Sequence, residues 1–251
     1  MFQDLTSLAR RLERAQALQN ERFNQAAGGR SLPVGGGFAH FRGEGHPLNQ
    51  ALGLIDPMAE PDLEVIEAFL GAPTVLELSP GADPSLWPLL ALRGYRLHQF
   101  QQLWVRPLLQ VEPTLEPSIR LAGPGEASLY NRIICAGFLE RDDWSELEPP
   151  FEVSLEVVDA WGFLAFVNGE PAGGGMLGIV DGVALLSGDG VLPRYRGRGL
   201  QKTLIRSRLA FARERGCDLA CAGTAPGTAS QGSYEACGFH VAYPKVEMAL
   251  G

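Results

Sequence analysis

The stretch that most constrains this chain runs from Val191 to Lys202, where a strand-like segment passes through a turn of arginines and glycines into an amphipathic helix. Gly197 and Gly199 permit backbone conformations that other residues rarely adopt, and they let the backbone approach a ligand closely. The first amides of a helix lack intrahelical acceptors, and the helix dipole adds partial positive charge at the same end. The junction therefore predicts a site for an anion such as a phosphate or pyrophosphate.

The elements on either side of this turn are also clear from the sequence. Alternating apolar residues predict three antiparallel strands before it, at 163–167, 171–180 and 183–191. The dipeptides between them, Asn168-Gly169 and Asp181-Gly182, are typical of two-residue hairpin turns. Apolar residues at helical spacing predict an amphipathic helix over 199–215. The turn thus joins the third strand of a meander to a helix that packs on a sheet.

The rest of the chain alternates helices and short strands, which predicts an α/β protein with a mixed sheet of the α+β type. Further predicted helices lie at 1–27, 60–70, 125–138, 153–158 and 229–237. Further predicted strands lie at 38–42, 50–55, 74–78, 95–108, 118–122, 218–222 and 239–250. The stretch Gln110–Pro117 contains two prolines and has little to bury, as is typical of a linker or a boundary strand. We therefore expect two domains, at 1–112 and 113–251.

Two stretches of equal length indicate an internal repeat. Residues 74–95 and 218–239 each pass from a strand through a turn of small residues and a short helix to a glycine followed by an aromatic residue. The pairs that end them are Gly94-Tyr95 and Gly238-Phe239. This pattern predicts two copies of one structural unit.

The turn and the second repeat together carry a specific signature. It consists of Val191, Pro193, Arg196, Gly197 and Gly199 before a helix, followed later by Tyr234, Gly238 and Phe239. With these residues, 116–251 resembles the GNAT-type N-acetyltransferases, whose pattern is V-x-P-x-x-R-G-x-G and then Y-x-x-x-G-F. The N-terminal half resembles a degenerate second copy, because it has no arginine and glycine turn between Ile55 and Leu63. The resemblance implies two tandem GNAT-like units, of which only the C-terminal one binds acetyl-CoA.

The anion at the turn is, by this resemblance, the pyrophosphate of acetyl-CoA, used as a cosubstrate. The residues expected to bind it are Val191, Leu192, Arg196, Gly197, Arg198, Gly199, Leu200, Gln201, Lys202 and Ser230. The family also has the pattern Q/R-x-x-G-x-G/A, which would start at Arg196 here. Gln201 stands at its last position, where the family has glycine or alanine, and its side chain either crowds the phosphate or bonds to it. Ser230 either bonds the cofactor or caps its helix.

Two side chains are candidates for catalysis. The resemblance implies that Tyr234 protonates the departing thiolate, and the alternative is a core tyrosine packed beside Phe239. Asp189 is the main candidate for the general base, with a bound water and Ser187 as other means of taking the proton. The alternative for Asp189 is a carboxylate at a β-bulge between two glycines. We also expect a backbone amide near Leu192 to support the developing oxyanion.

The expected function is transfer of an acetyl group to an amine of a small molecule or peptide by direct attack on the thioester. Residues 142–146 are acidic, which suits a cationic amine, although a solvated run of charge is the alternative. Two other functions stay open. One is a noncatalytic acyl-CoA-binding sensor or scaffold, and the other is a transferase of a longer acyl group.

Composition excludes several other classes of function. The net charge of -8 argues against a nucleic-acid-binding surface, and no apolar run is long enough to span a bilayer. The first residues lack the apolar segment of a secretory signal, so we expect a cytoplasmic protein, monomeric or homodimeric. The four cysteines and four histidines show no spacing typical of metal ligands, so we expect no metal.

Overall fold

The computed structural model describes residues 5–109, 116, 118–123, 125–150 and 152–251. Its contacts divide the chain into two compact units. The first contains the chain up to Leu103 together with Val241–Gly251, and the second contains Trp104–His240. Apart from Glu116, the predicted linker at Gln110–Pro117 lies outside the described residues.

The first unit contains a mixed sheet flanked by helices. Its elements are α1 (Leu5–Ala26), β1 (Arg30–Val34), β2 (Gly37–Phe41), β3 (Gln50–Leu52), α2 (Glu60–Leu70), β4 (Thr74–Leu78), α3 (Leu86–Arg93), the first part of β5 (Arg96–Pro107) and β11 (His240–Leu250). The strand order is β1-β2-β3-β4-β11, with β3 and β4 parallel and the other pairs antiparallel. Leu63, Ile66 and Leu70 place one face of α2 in the core of this unit.

The second unit also contains both parallel and antiparallel strand pairs. Its elements are the last part of β5, β6 (Ile119–Leu121), α4 (Ala127–Phe138), β7 (Ala160–Val167), β8 (Glu170–Val180), β9 (Val183–Val191), α5 (Leu200–Glu214), β10 (Leu219–Thr224) and α6 (Ala229–Ala236). The order is β10-β9-β8-β7-β6, with β9 and β10 parallel and the other pairs antiparallel. From Trp104 onward, β5 lies next to β10. The core contains Leu204, Ile205 and Leu209 of α5, packed beside the strands.

The predicted meander is confirmed, and the backbone angles of its two turns explain why asparagine, aspartate and glycine occupy them. Asn168 and Gly169 have φ angles of 53° and 83°, and Asp181 and Gly182 have φ angles of 48° and 75°. Positive φ at both central residues is the requirement of the type I′ turn, which asparagine, aspartate and glycine meet best. The turns therefore set the register of the three strands.

The predicted fold class, α/β with a mixed sheet, is confirmed in both units. Each has strands joined by antiparallel hairpins, followed by a parallel neighbour reached through a helix: β3, α2 and β4 in the first unit, and β9, α5 and β10 in the second. Gly94 and Gly238, with φ angles of 83° and 79°, follow the short helices α3 and α6. The two halves of the sequence thus repeat one plan.

Two sequence-based predictions of secondary structure are wrong. Residues 153–158 are not a helix, because the side-chain amide of Asn131 bonds both the N–H and the carbonyl of Val153, at 2.9 and 3.1 Å. Strand β1 was not predicted at all. It pairs with β2 through a tight turn at Gly35 and Gly36, whose φ angles are 58° and 84°, so the glycine run is a hairpin turn.

Candidate active site

The turn between β9 and α5 presents a set of backbone amides at a helix end. After β9, one 3-10 turn (Pro193–Tyr195) leads to Gly197 and Gly199, whose φ angles of 74° and 79° lie in the left-handed region. Gly199 is the N-cap of α5, and the Thr203 amide donates to its carbonyl at 3.1 Å. The amides of residues 200–202 precede this bond and have no acceptor within the helix. With the helix dipole, they favour an anion here.

A cavity of about 640 Å³ opens where β9 and β10 stop pairing. Their parallel ladder ends at the pair of Leu186 and Ala222, and β9 then continues to Val191. Of the residues singled out by the sequence, those that line the cavity are Asp189, Val191, Arg196, Gly197, Gly199, Leu200, Gln201, Lys202 and Ser230. The separated strands and the start of α5 therefore border one space.

Three of the residues singled out by the sequence are not among the lining residues. Leu192 is fully buried, and its amide donates to the Ala172 carbonyl at 3.0 Å. This bond occupies the amide that the sequence suggests for an oxyanion. Arg198 is exposed, with its guanidinium 5.7 Å from the ring centroid of Tyr195. Tyr234 is buried behind the cavity wall, 2% exposed.

Arg196 holds the turn against the end of α4. Its guanidinium donates to the Val191 carbonyl at 3.1 Å, to the Gly137 carbonyl at 2.7 Å and to the Glu140 carboxylate at 2.7 Å. With all three nitrogens engaged, Arg196 shapes the cavity rather than presenting an unpaired charge to it. Lys202 also lines the cavity and supplies a cation beside the first amides of α5.

Gln201 bridges the two helices that border the cavity. Its side-chain nitrogen donates to the Ser230 hydroxyl at 3.2 Å, and its side-chain oxygen accepts from the Ser233 hydroxyl at 3.3 Å. The side chain that departs from the family pattern is therefore bonded to α6. The cap of α6 is Thr228, which accepts from the Gln231 amide, so Ser230 does not have that role.

Asp189 stands at a β-bulge in β9. The ladder with β8 skips one residue on β8 but two, Gly188 and Asp189, on β9. Gly188 has a φ of 60°, a conformation that a glycine adopts without strain. Asp189 is thus both the carboxylate at the bulge and a residue that lines the cavity, and its side chain is 6% exposed.

Both oxygens of the Asp189 carboxylate have protein partners. Oδ1 is bound to the guanidinium of Arg208, which is fully buried in α5, and Oδ2 accepts the hydroxyl of Tyr234. The Tyr234 ring also packs edge-on against Phe239, with 5.0 Å between centroids. Burial, followed by the charge of Asp189, raises the pKa of the Tyr234 hydroxyl well above its usual value. The structure therefore brings both predicted catalytic residues together, with the tyrosine directed at the carboxylate.

Several cavity residues were not singled out by the sequence. They are Gly137, Phe138, Glu140, Tyr195, Gly223, Thr224, Ala225, Thr228, Ala229 and Ser233. Gly137 is the most constrained of them, because a Cβ there would lie 2.9 Å from the Gly190 Cα. The Gly188 and Gly190 pair around Asp189 was a signal of such a close approach, but its partner helix was not apparent from the sequence.

The comparisons with known proteins agree with this architecture. Residues 133–239 match the model of the GNAT acetyltransferase family. A GCN5-related N-acetyltransferase from Kribbella flavida is similar over 96% of this chain and 95% of its own, with 19% identity and a TM-score of 0.65. A second one, from Sphaerobacter thermophilus, is similar over 71% of this chain and 59% of its own, with 18% identity and a TM-score of 0.51.

A tandem GNAT protein from the clavulanic acid biosynthesis pathway is similar over 76% of this chain and 67% of its own, with 15% identity and a TM-score of 0.52. At such identities the likeness concerns the fold. No curated protein matches the sequence. The second unit thus contains a GNAT acetyltransferase domain, and the resemblance found in the sequence is confirmed. The match of residues 133–239 to this family implies an acyltransferase and supports acyl transfer in general.

None of the helices among the described residues has both the length and the apolar character needed to cross a membrane. Among the same residues, histidine, cysteine, aspartate and glutamate form no group of three or more that could hold a metal ion.

Proposed function

We propose that the second unit transfers an acetyl group from acetyl-CoA to an amine of a small molecule or peptide. The observation that carries this proposal is that the start of α5 and the carboxylate of Asp189 border the same cavity of about 640 Å³. The first is suited to a phosphate and the second to an amine or water. A shared cavity would bring a phosphate-bearing thioester and its nucleophile together.

The phosphate side of the cavity fits the pyrophosphate of acetyl-CoA. The amides of residues 200–202 would hold it, and Lys202 would add charge. A Cβ at Gly197 would meet nothing within 4 Å, so the turn is open to a ligand on that side. Because Gln201 is bonded to α6, its side chain leaves these amides accessible.

On the acceptor side, Asp189 would orient the amine. The nitrogen attacks the thioester carbon, the C–S bond breaks, and the products are an amide and a thiol, while the nitrogen loses one proton and the sulfur gains one. Asp189 or a bound water would receive the hydrogen bond of the attacking amine. To protonate the thiolate, the Tyr234 hydroxyl would have to leave Asp189, so we assign Tyr234 to holding that carboxylate.

The first unit is proposed to be a degenerate GNAT-like unit that does not bind acyl-CoA. Its helix α2 occupies the place that α5 has in the second unit, but the first turn of α2 carries Glu60 and Asp62. The Asp62 carboxylate accepts the Ala59 amide at 2.7 Å. Two carboxylates at this helix end would repel a phosphate and already complement the dipole.

The proposal is tested by incubating the protein with acetyl-CoA and a panel of small amines and peptides. We expect thiol release that depends on the amine, together with an acetylated product identified by mass. Propionyl-CoA and longer acyl-CoA are tested in parallel, and faster transfer from a longer chain would replace acetyl as the substrate. Binding of CoA by calorimetry without thiol release for any acceptor would instead favour a noncatalytic acyl-CoA-binding protein.

A further inference from the structure

Arg208 is a buried cation directly behind the candidate site. Its Nε donates to the Leu204 carbonyl at 3.2 Å, its Nη1 donates to the Met176 carbonyl at 2.9 Å, and its Nη2 binds the Asp189 carboxylate. The side chain is 0% exposed. Burial is the largest single effect and lowers the pKa of this guanidinium, but the charge of Asp189, the two neighbouring tyrosines and the hydrogen bond to Asp189 together outweigh it, so the pKa is raised. Arg208 is therefore held rigidly and stays charged.

The neighbouring backbone leaves room for this ion pair. A Cβ at Gly175 of β8 would lie 2.5 Å from Asp189 Oδ1 and 2.6 Å from Arg208 Nη1. Any side chain at this position would displace the pair, because both of its members are packed and cannot swing away. Together with the bulge at Gly188, the glycine at 175 is a local condition for the contact between α5 and β9.

The titratable groups that face Asp189 come from three helices. They are Tyr130 from α4, Arg208 from α5 and Tyr234 from α6, whereas β8 contributes the Met176 carbonyl and the bare face of Gly175. The two tyrosines are neutral at ordinary pH, because burial raises the pKa of each. The Asp189 carboxylate is therefore the countercharge of the buried guanidinium, and a buried guanidinium without such a partner is strongly unfavourable.

We propose that Arg208 is a positioning residue that fixes the Asp189 carboxylate at the cavity as a hydrogen-bond acceptor, so that Asp189 orients the attacking amine without taking its proton. This inference rests on the proposed acetyl transfer. The neutral amine nitrogen forms the new C–N bond and the C–S bond breaks. The proton lost by nitrogen passes to water in the cavity, and the thiolate takes a proton from water.

The pH dependence of kcat distinguishes this role from that of a general base. With saturating acetyl-CoA and several acceptor amines of different basicity, we expect the acid limb of the wild-type kcat profile to move with the pKa of the amine. A limb at one pH for every amine would mean that a group of the protein takes the proton from the amine, and it would overturn the proposal.

The Arg208→Gln variant removes the charge that holds Asp189. We expect its kcat to fall at least tenfold, because Arg208 no longer holds the carboxylate in place at the cavity. The dissociation constant of CoA should stay within about twofold of the wild type, because the start of α5 is untouched. Unchanged kcat in Arg208→Gln would refute the positioning role.

Gly175→Ala provides a second variant if Arg208→Gln does not fold. It displaces the ion pair without removing a charge, so we expect lower kcat at unchanged CoA affinity and an acid limb that still follows the amine. Full kcat in this variant would contradict the inference.

A failure of the proposed acetyl transfer can be distinguished from a failure of the positioning role of Arg208. If no amine releases thiol from acetyl-CoA with the wild-type protein, acetyl transfer is wrong. The ion pair is then still measured by thermal unfolding of Asp189→Asn, Arg208→Gln and the double variant. Non-additive losses would show the coupling of the two charges, and additive losses would remove the structural basis of the inference.

Discussion

At the scale of single residues, the candidate site depends on side chains whose partners decide their roles. Arg196 has the residue type expected for a phosphate ligand, yet its guanidinium is used to hold the turn against α4. Gln201 has the residue type expected to obstruct the backbone amides at the start of α5, yet its side chain is bonded to two serines of α6. Residue type thus identifies the place, and hydrogen bonds assign the role.

Gln201→Ala separates the two roles that the sequence allows for this side chain. The variant restores the family pattern and removes the bonds to Ser230 and Ser233, so we expect the protein to lose about 1 kcal/mol of stability. The affinity for CoA should be unchanged or higher, because the amides of α5 stay in place. Calorimetry with CoA and thermal unfolding measure the two effects. A tenfold loss of affinity would mean that the Gln201 side chain binds the phosphate itself.

Arg208 shows why the site could be predicted only in part at this scale. It lies one turn after Leu204, and Leu209 follows it directly, so the helical period alone places it among apolar residues. The arginines of α5 are easily interpreted together as a basic outer rim, and an arginine is rarely buried without a partner. Its partner, Asp189, becomes apparent only when α5 packs on the bulge of β9.

At the scale of elements, the end of β5 completes a wall of the second unit. The Trp104 indole donates to the Thr224 hydroxyl at 2.8 Å, and the Arg106 guanidinium donates to the Cys237 carbonyl at the end of α6. Thr224 lines the cavity, and Trp104 is buried. The first half of the sequence therefore supplies a strand segment to the unit that holds the candidate site.

Trp104→Phe tests this contribution. The variant keeps most of the buried ring but loses the hydrogen bond, so we expect a loss of about 1–2 kcal/mol in unfolding free energy, because the Thr224 hydroxyl is left without its donor. Thr224→Val is the matched variant, since it removes the other partner. Chemical denaturation of both single variants and the double variant should give non-additive losses. Additive losses would mean that the bond does not position Thr224.

Secondary structure was predictable where local chemistry decides it. The hairpins 160–191 follow from turn residues, and α2 at Glu60–Leu70 and β4 at Thr74–Leu78 have the bounds that their apolar spacing predicts. The errors arise where a distant group satisfies the backbone. Val153 is held by the Asn131 side chain, which no local pattern at 153–158 can disclose.

At the scale of the whole molecule, the two compact units do not correspond to two successive stretches of the chain. The sequence suggests a division between 112 and 113 at a proline-containing stretch, whereas contacts place 241–251 with the first unit and 104–109 with the second. The repeat explains how the sequence can indicate two copies of one structural unit without indicating which segments form each compact unit. Spacing along the chain records the order of elements, but strand neighbours such as β4 and β11 are fixed by pairing between distant residues.

The stability of the protein should fall on acidification, partly through Glu126. Its carboxylate accepts both terminal nitrogens of Arg120, at 2.7 and 2.8 Å, and the Gly123 amide at 2.6 Å. The bonds from Arg120, followed by that from Gly123, lower the pKa of Glu126 to about 2, from an ordinary value of 4.5. A lowered pKa means that its contribution is present above pH 4.5 and is lost as the pH falls towards about 2.

Glu126→Gln should therefore have a lower Tm than the wild type at pH 7, and the two should converge as the pH falls through this window. Thermal unfolding at several pH values measures the difference, with Glu156→Gln as a control for an exposed glutamate. A constant difference across the window would show that the ion pair with Arg120 is not the cause.

Binding of acyl-CoA at the proposed site, the start of α5, is measured by calorimetric titration of Gly199→Val beside Gly216→Val. Both glycines flank α5, with φ angles of 79° and 80°, and a Cβ at either would meet no atom closer than 3.9 Å. Both variants should lose a similar stability, about 1–2 kcal/mol, because each forces a side chain into the left-handed region. Only Gly199→Val should weaken CoA binding, by about tenfold or more, which equals about 1.4 kcal/mol. Equal affinities for CoA in the two variants would contradict binding of CoA at the start of α5.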